Sequence, residues 1–198
     1  MTRVIALTGT VAAGKSSVGK VFRDLGATVI DVDALARELQ QPGEPVLERI
    51  VAEFGRDVLD AQGALDRPAM RRRVLADPRA RHRLEAIVHP AVEARRRALV
   101  AAARARGDRL VIADIPLLFE AANPADYDGV IVVDAPVSER RRRLIVDRGL
   151  VEQDADRLIA AQLPAAEKRA RATWIIDNDG NRATLVTRAR AVWDALQH

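Results

Sequence analysis

Five short apolar runs punctuate the chain: RVIALT (3–8), ATVID (27–31), RLVIADI (109–115), GVIVVD (129–134) and TWIID (173–177). None alternates apolar and polar residues over any length, which is the pattern of parallel strands covered on both faces. Helical patterning fills the intervals between them, so the chain reads as a succession of βαβ units. The predicted fold is α/β: a parallel five-stranded sheet flanked by helices. The interval 32–108 is too long for one crossover and reads as almost entirely helical. EPVLERIVAEFG, RPAMRRRVLADP and HPAVEARRRALVAAARARG each carry a proline in what reads as a first helical turn, which predicts an inserted helical subdomain. A second excursion, about 138–163, reads as an arginine-dense helix capped by Ser138, a break at Gly149, and another helix entered at Glu152 or Gln153.

Composition narrows this picture without changing it. At 198 residues the chain suits a single domain with an insertion, and with 3% aromatic residues its core must rest on Ala, Val, Leu and Ile. No uncharged apolar run approaches the roughly eighteen residues of a membrane helix. The start, with Arg3 before an apolar stretch, superficially resembles a leader, but the stretch is short and runs straight into a glycine loop, so no cleavage is expected. Without cysteine there is no disulfide framework and no thiolate metal site, which fits a cytoplasmic protein. The formal charge is +4. The basic triplets Arg71–Arg73 and Arg95–Arg97 lie among acidic and apolar residues with few aromatics nearby, the pattern of hydrated helix faces rather than a nucleic-acid surface.

The chemistry is carried first by GTVAAGKSS, Gly9 to Ser17, directly behind the first apolar run. Gly9, four residues, Gly14, Lys15 and Ser16 follow the G-x-x-x-x-G-K-[ST] spacing of a phosphate-binding loop. Backbone N–H groups from Gly9 through Ala12, Ala13 and Gly14 to Ser17 would cradle phosphate oxygens, aided by the positive end of the following helix. Lys15 would reach the β- and γ-phosphates of ATP, and the Ser16 hydroxyl would ligate Mg²⁺. All but three of the 32 basic residues are arginine, so a lysine at the one position that needs it is informative.

VIDVDALAREL places Asp31 and Asp33 where the second strand ends, the edge at which open α/β sheets bind ligands. A carboxylate there can take the proton of an attacking hydroxyl, although Asp33 also stands where a helix N-cap would. VIADIPLLFE puts Asp114 at the end of the third strand, as an acidic partner of Mg²⁺. The arginine-dense excursion at 138–163 fits a mobile lid supplying positive charge to a transferring phosphoryl group.

LTGTVAAGKSSV, VIDVDALAREL, GALDRPAMRRRV, LEAIVHPAV, DIPLLFE and WIIDNDG, in this order, resemble the bacterial dephospho-coenzyme A kinase family from Val4 to about Gly180. The resemblance implies a P-loop kinase-type fold and ATP-dependent phosphorylation of the ribose 3′-hydroxyl of dephospho-CoA. It implies Asp33 as the catalytic base, Arg37, Arg67 and His89 at the acceptor site, and Asn178 in the nucleotide-binding region. Thr10 and Ala12 replace glycines usual in the family loop, and Ser17 replaces threonine; a positive φ at Ala12 would cost about 1 kcal/mol. The lid arginine is one of Arg140, Arg143 and Arg148, with Arg143 favoured. The expected partners are the small molecules ATP and dephospho-CoA, with no nucleic acid or membrane, and the expected state is a monomer. The alternative is another P-loop small-molecule kinase, such as a nucleoside monophosphate kinase.

Overall fold

The structure, a computed structural model, describes residues 2–197. The chain divides into two compact units: one made of the residues up to Asp31 and from Ala103 onward, the other of Val32–Ala102.

The first unit is built on five parallel strands: β1 (Arg3–Gly9), β2 (Thr28–Asp31), β3 (Leu110–Asp114), β4 (Gly129–Asp134) and β5 (Trp174–Asp177). Their order in the sheet is β2-β3-β1-β4-β5. All five apolar runs are therefore strands. The central ones are buried almost throughout, and the edge strands β2 and β5 are only partly covered. Helix α1 (Lys15–Asp24) packs on the sheet beside the last helix of the chain, α10 (Arg182–Leu196), where the Phe22 and Trp193 rings stack with centroids 6.3 Å apart. The register sets β1 Leu7 beside β3 Asp114, and β2 Asp31 beside the same Asp114. Two carboxylates thus close neighbouring strands at one edge of the sheet.

The second unit is helical. It contains α2 (Val32–Glu38), α3 (Pro45–Phe54), α4 (Arg67–Ala76) and most of α5 (Pro78–Arg106). Val46, Leu47, Ile50, Phe54, Met70, Ile87, Val88 and Val92 form its core. Proline opens α3 and stands in the first turn of α4, as the sequence suggests. In α4 the Asp66 carboxylate caps the helix by accepting from the Ala69 N–H at 2.9 Å. The third expected start is different, because Pro90 lies inside the unbroken α5. An internal proline costs about 3 kcal/mol. Ile87, Val88 and Val92 are buried on either side of it, and each such side chain returns roughly 1.5–3 kcal/mol on burial, so the helix runs through.

The remaining helices belong to the first unit: α6 (Leu118–Ala121), α7 (Val137–Arg142), α8 (Glu152–Ala160) and α9 (Ala165–Ala170). Pro136, not Ser138, is the cap residue of α7. Proline's fixed φ already sets the chain for helix entry there, and Ser138 falls in the first turn. The helix continues as a π turn over Arg143–Asp147.

Between α6 and α9 the side chain of Lys168 is wholly buried, its Nζ 2.7 Å from Glu120 Oε1 in an ion pair without the alignment of a hydrogen bond. Removing the carboxylate would leave a buried ammonium without its counter-charge, whereas removing the lysine leaves a carboxylate that reaches water. Glu120→Ala is therefore expected to cost about 3–5 kcal/mol, and Lys168→Met much less. Urea denaturation midpoints check this; equal losses from the two variants would contradict it.

Candidate functional site

The loop Gly9–Ser17 joins β1 to α1, and its two motif glycines are required by contact. A Cβ on Gly9 would run into the Val133 carbonyl of β4. Gly14 has φ 98°, and a Cβ there would lie 2.5 Å from Asn178 Nδ2. Ala12 is the one non-glycine residue with positive φ among the described residues, at 58°. The cost anticipated for an alanine with positive φ here is thus incurred.

Side chains from distant elements hold the outer side of the loop. Asn178, buried after β5, donates from Nδ2 to the Ala13 carbonyl at 2.7 Å. Arg143 donates from Nη1 to the Ala12 carbonyl at 3.1 Å and from Nε to Glu139 at 3.0 Å. The Arg142 and Arg143 guanidiniums, Arg142 foremost, draw the Glu139 carboxyl down to about 2. Thr10 donates its hydroxyl to Asp134 Oδ1 at 3.0 Å, in a buried contact. Asp134 also accepts from the Ala135 N–H and from Arg169. The Ala12 and Ala13 carbonyls are thus both taken by side chains from outside the loop. The Ala12, Gly14, Lys15 and Ser16 N–H groups meet no protein acceptor among the described residues. Ala13 N–H is used internally, donating to the Thr10 carbonyl at 3.1 Å.

Lys15 forms an ion pair with Asp114 at the end of β3. Ser16 and Ser17 are exposed in the first turn of α1. Beside them a cavity of about 310 Å³ lies between α1 and α10, bordered by Lys20, Arg182 and Arg190. Asp24, in the same lining, pairs with Lys20 at 2.7 Å, so the cavity's remaining positive charge comes from Arg182 and Arg190.

The three lid arginines are separated by their surroundings. Arg140 is buried and donates from Nε to the Ala135 carbonyl at 3.0 Å. Burial pushes its pKa down, against the opposing charge of Asp134. Arg148 is exposed, and its guanidinium has no partner among the described residues. Arg143 alone of the three touches the loop. Arg141 ties α7 to α8, donating to Asp156 and Glu152 at 2.8 Å each.

In the helical unit, Asp33 lies within the first turn of α2, not at its cap. It is exposed, and no hydrogen bond or ion pair engages its carboxylate among the described residues. The capping role that its sequence position allowed is thus not the one it performs. Arg37 stands one turn further along α2. Arg67, the first residue of α4 after the Asp66 cap, donates to Gln40 Oε1 at 3.1 Å and to the Arg37 carbonyl at 3.4 Å, so the structure brings Arg37 and Arg67 together. His89 is exposed on α5, and no hydrogen bond or ion pair joins it to either arginine among the described residues. Thr10, Gln40, Asp134 and Gln162, whose side-chain oxygen accepts from the Val11 N–H at 2.7 Å, take part in these two clusters without any local signal in the sequence.

The family model described as dephospho-CoA kinase matches residues 3–184. A curated relative from Corynebacterium diphtheriae with the name dephospho-CoA kinase is 42% identical over 191 residues, 96% of each chain. Among solved structures, TT1252 from Thermus thermophilus superposes with a TM-score of 0.83 at 36% identity, covering 98% of this chain and 97% of that one. A dephospho-CoA kinase from Campylobacter jejuni gives a TM-score of 0.75 at 24% identity over 99% and 98% of the two chains, which supports the P-loop kinase fold.

Proposed function

The chain belongs to the dephospho-CoA kinase family, and we propose that its loop Gly9–Ser17 holds the phosphates of ATP while Asp33 activates the acceptor hydroxyl. The reaction is transfer of a phosphoryl group from ATP to dephospho-CoA. The observation that carries the site assignment is the loop itself: four N–H groups without protein acceptors among the described residues and a lysine, in a loop whose Ala12 and Ala13 carbonyls are held by outside side chains. Such donors are fixed before the nucleotide arrives, so no reorganisation is needed as charge develops. Lys15 pairs with Asp114, and the β- and γ-phosphate oxygens compete for the same ammonium. Arg143 brings lid charge to the edge of the loop at Ala12, next to the transferring group.

Asp33 accepts the proton of the ribose 3′-hydroxyl as the new O–P bond forms and the bond from the γ-phosphorus to ADP breaks. Its carboxylate has no competing partner among the described residues, which suits a group that must turn to a substrate. Arg37 and Arg67, the latter bonded to Gln40 and to the Arg37 carbonyl, offer cations to the anionic groups of dephospho-CoA, with His89 also at the acceptor site. Asn178 serves the nucleotide through the loop backbone. The α7–α8 pair, stapled by Arg141, moves as one lid, and the enzyme acts as a cytoplasmic monomer.

Mg²⁺ fits the residues present. The exposed Ser16 hydroxyl and the Asp114 carboxylate are hard oxygen donors in the small number this ion takes from protein when phosphates supply the rest. When bound it would neutralise charge on the β- and γ-oxygens. Ser16→Ala is expected to raise the Mg²⁺ concentration for half-maximal rate at least about tenfold, with Ser16→Thr near the wild type. A magnesium titration of the initial rate checks this, and an unchanged midpoint in Ser16→Ala would remove Ser16 from the metal site.

A further inference from the structure

Four consecutive residues of the phosphate loop are each tied to a side chain from elsewhere. Thr10 bonds Asp134, the Ala12 carbonyl bonds Arg143 and the Ala13 carbonyl bonds Asn178. The remaining tie is different in kind, because there the loop backbone is the donor: Val11 N–H gives its hydrogen bond to Gln162 Oε1 at 2.7 Å across 151 positions of sequence. We infer that Gln162 is a positioning residue for ATP, fixing the peptide at the head of the loop through its side-chain carbonyl. This rests on the loop being the donor site.

Two features give the contact its weight. Val11 immediately precedes Ala12, which is held at φ 58°, and a strained backbone persists only where its surroundings over-determine it. Gln162 is itself tied back through its neighbour. It follows α8, and the next N–H, that of Leu163, donates to Glu120 Oε1 at 3.2 Å. Glu120 is the carboxylate paired with the buried Lys168. The final glutamate of DIPLLFE, the chain just after α8 and the head of the phosphate loop thus form one connected chain of contacts. Gln162 is half-buried, so its side chain can be altered without opening the core.

Gln162→Met keeps the length and removes the acceptor, while Gln162→Glu keeps an acceptor oxygen. A hydrogen bond of this kind corresponds to about a tenfold effect when lost. In Gln162→Met, exchange of the Val11 amide hydrogen, followed by NMR without nucleotide, should accelerate about tenfold, and the dissociation constant for ADP should rise about tenfold. KM for dephospho-CoA should stay unchanged. Gln162→Glu should recover slow exchange and most of the affinity, which a role in mere stability would not require. Wild-type or tighter ADP binding by Gln162→Met, with Lys15→Ala binding weakly in the same assay, would overturn the inference and leave the loop assignment standing. If Lys15→Ala also bound ADP normally, the donor-site reading would fall, and the inference with it.

Discussion

Lys15→Ala is expected to lower kcat by about 10² to 10³, the usual cost of losing one preorganised charge at a developing anion. Neither Arg143 nor Arg140 is free to take over the task. Arg143 is committed to the Ala12 carbonyl and Glu139, and Arg140 is buried against the Ala135 carbonyl. The loop backbone is pinned by Asn178, Arg143 and Asp134 rather than by Lys15, so its shape should survive. The substitution does take an ammonium away from Asp114, which is only 8% exposed. A thermal melt of the variant therefore accompanies the kinetics and separates loss of fold from loss of transfer. Near-normal turnover in a folded Lys15→Ala protein would show that this loop does not hold the donor.

Asp33→Asn is expected to lower kcat by about 10² or more while leaving KM for ATP unchanged. Asparagine is nearly isosteric but cannot take a proton at neutral pH. Because the Asp33 carboxylate is exposed and accepts no hydrogen bond from its own helix, the amide should cost the fold nothing. Had Asp33 capped α2, asparagine would have served equally well and the rate would not change. Steady-state kinetics with both substrates varied provides the measurement. An unchanged kcat would move the search for the base to Asp31 or Asp114, the carboxylates that close β2 and β3.

Features written in contiguous residues were legible in the sequence. The five strands are short apolar runs because a parallel sheet buries both faces, and each forms within a residue or two of its expected span. Gly9, Gly14, Lys15 and Ser16 stand at a spacing that only one local geometry requires. Helix starts were less legible, because proline favours a first turn without excluding the interior. Pro78 opens α5, and Pro90 is carried through by the buried Ile87, Val88 and Val92.

The supports of the loop were not legible at all. Thr10 reads only as a lost glycine, yet its hydroxyl bonds Asp134 across 124 residues, and Gln162 reaches Val11 across 151. Such contacts exist only after β1, β4 and the chain beyond α8 have assembled. Asn178 lay in a stretch associated with nucleotide binding, but its hold on the Ala13 carbonyl depends on β5 ending beside the loop. The choice among the lid arginines likewise needed their surroundings: the sequence presents Arg140 and Arg143 in one run, and packing buries the first while turning the second to the loop.

The most direct test of the central claim is turnover by the purified protein with ATP, Mg²⁺ and dephospho-CoA, following ADP release and locating the new phosphate by phosphorus-31 NMR. AMP, adenosine and pantetheine serve as rival acceptors. The account requires ADP and CoA to form in equal amounts, with the phosphate on the ribose 3′-oxygen and little turnover of the rivals. Faster transfer to AMP or adenosine, or a phosphate placed elsewhere on dephospho-CoA, would contradict it.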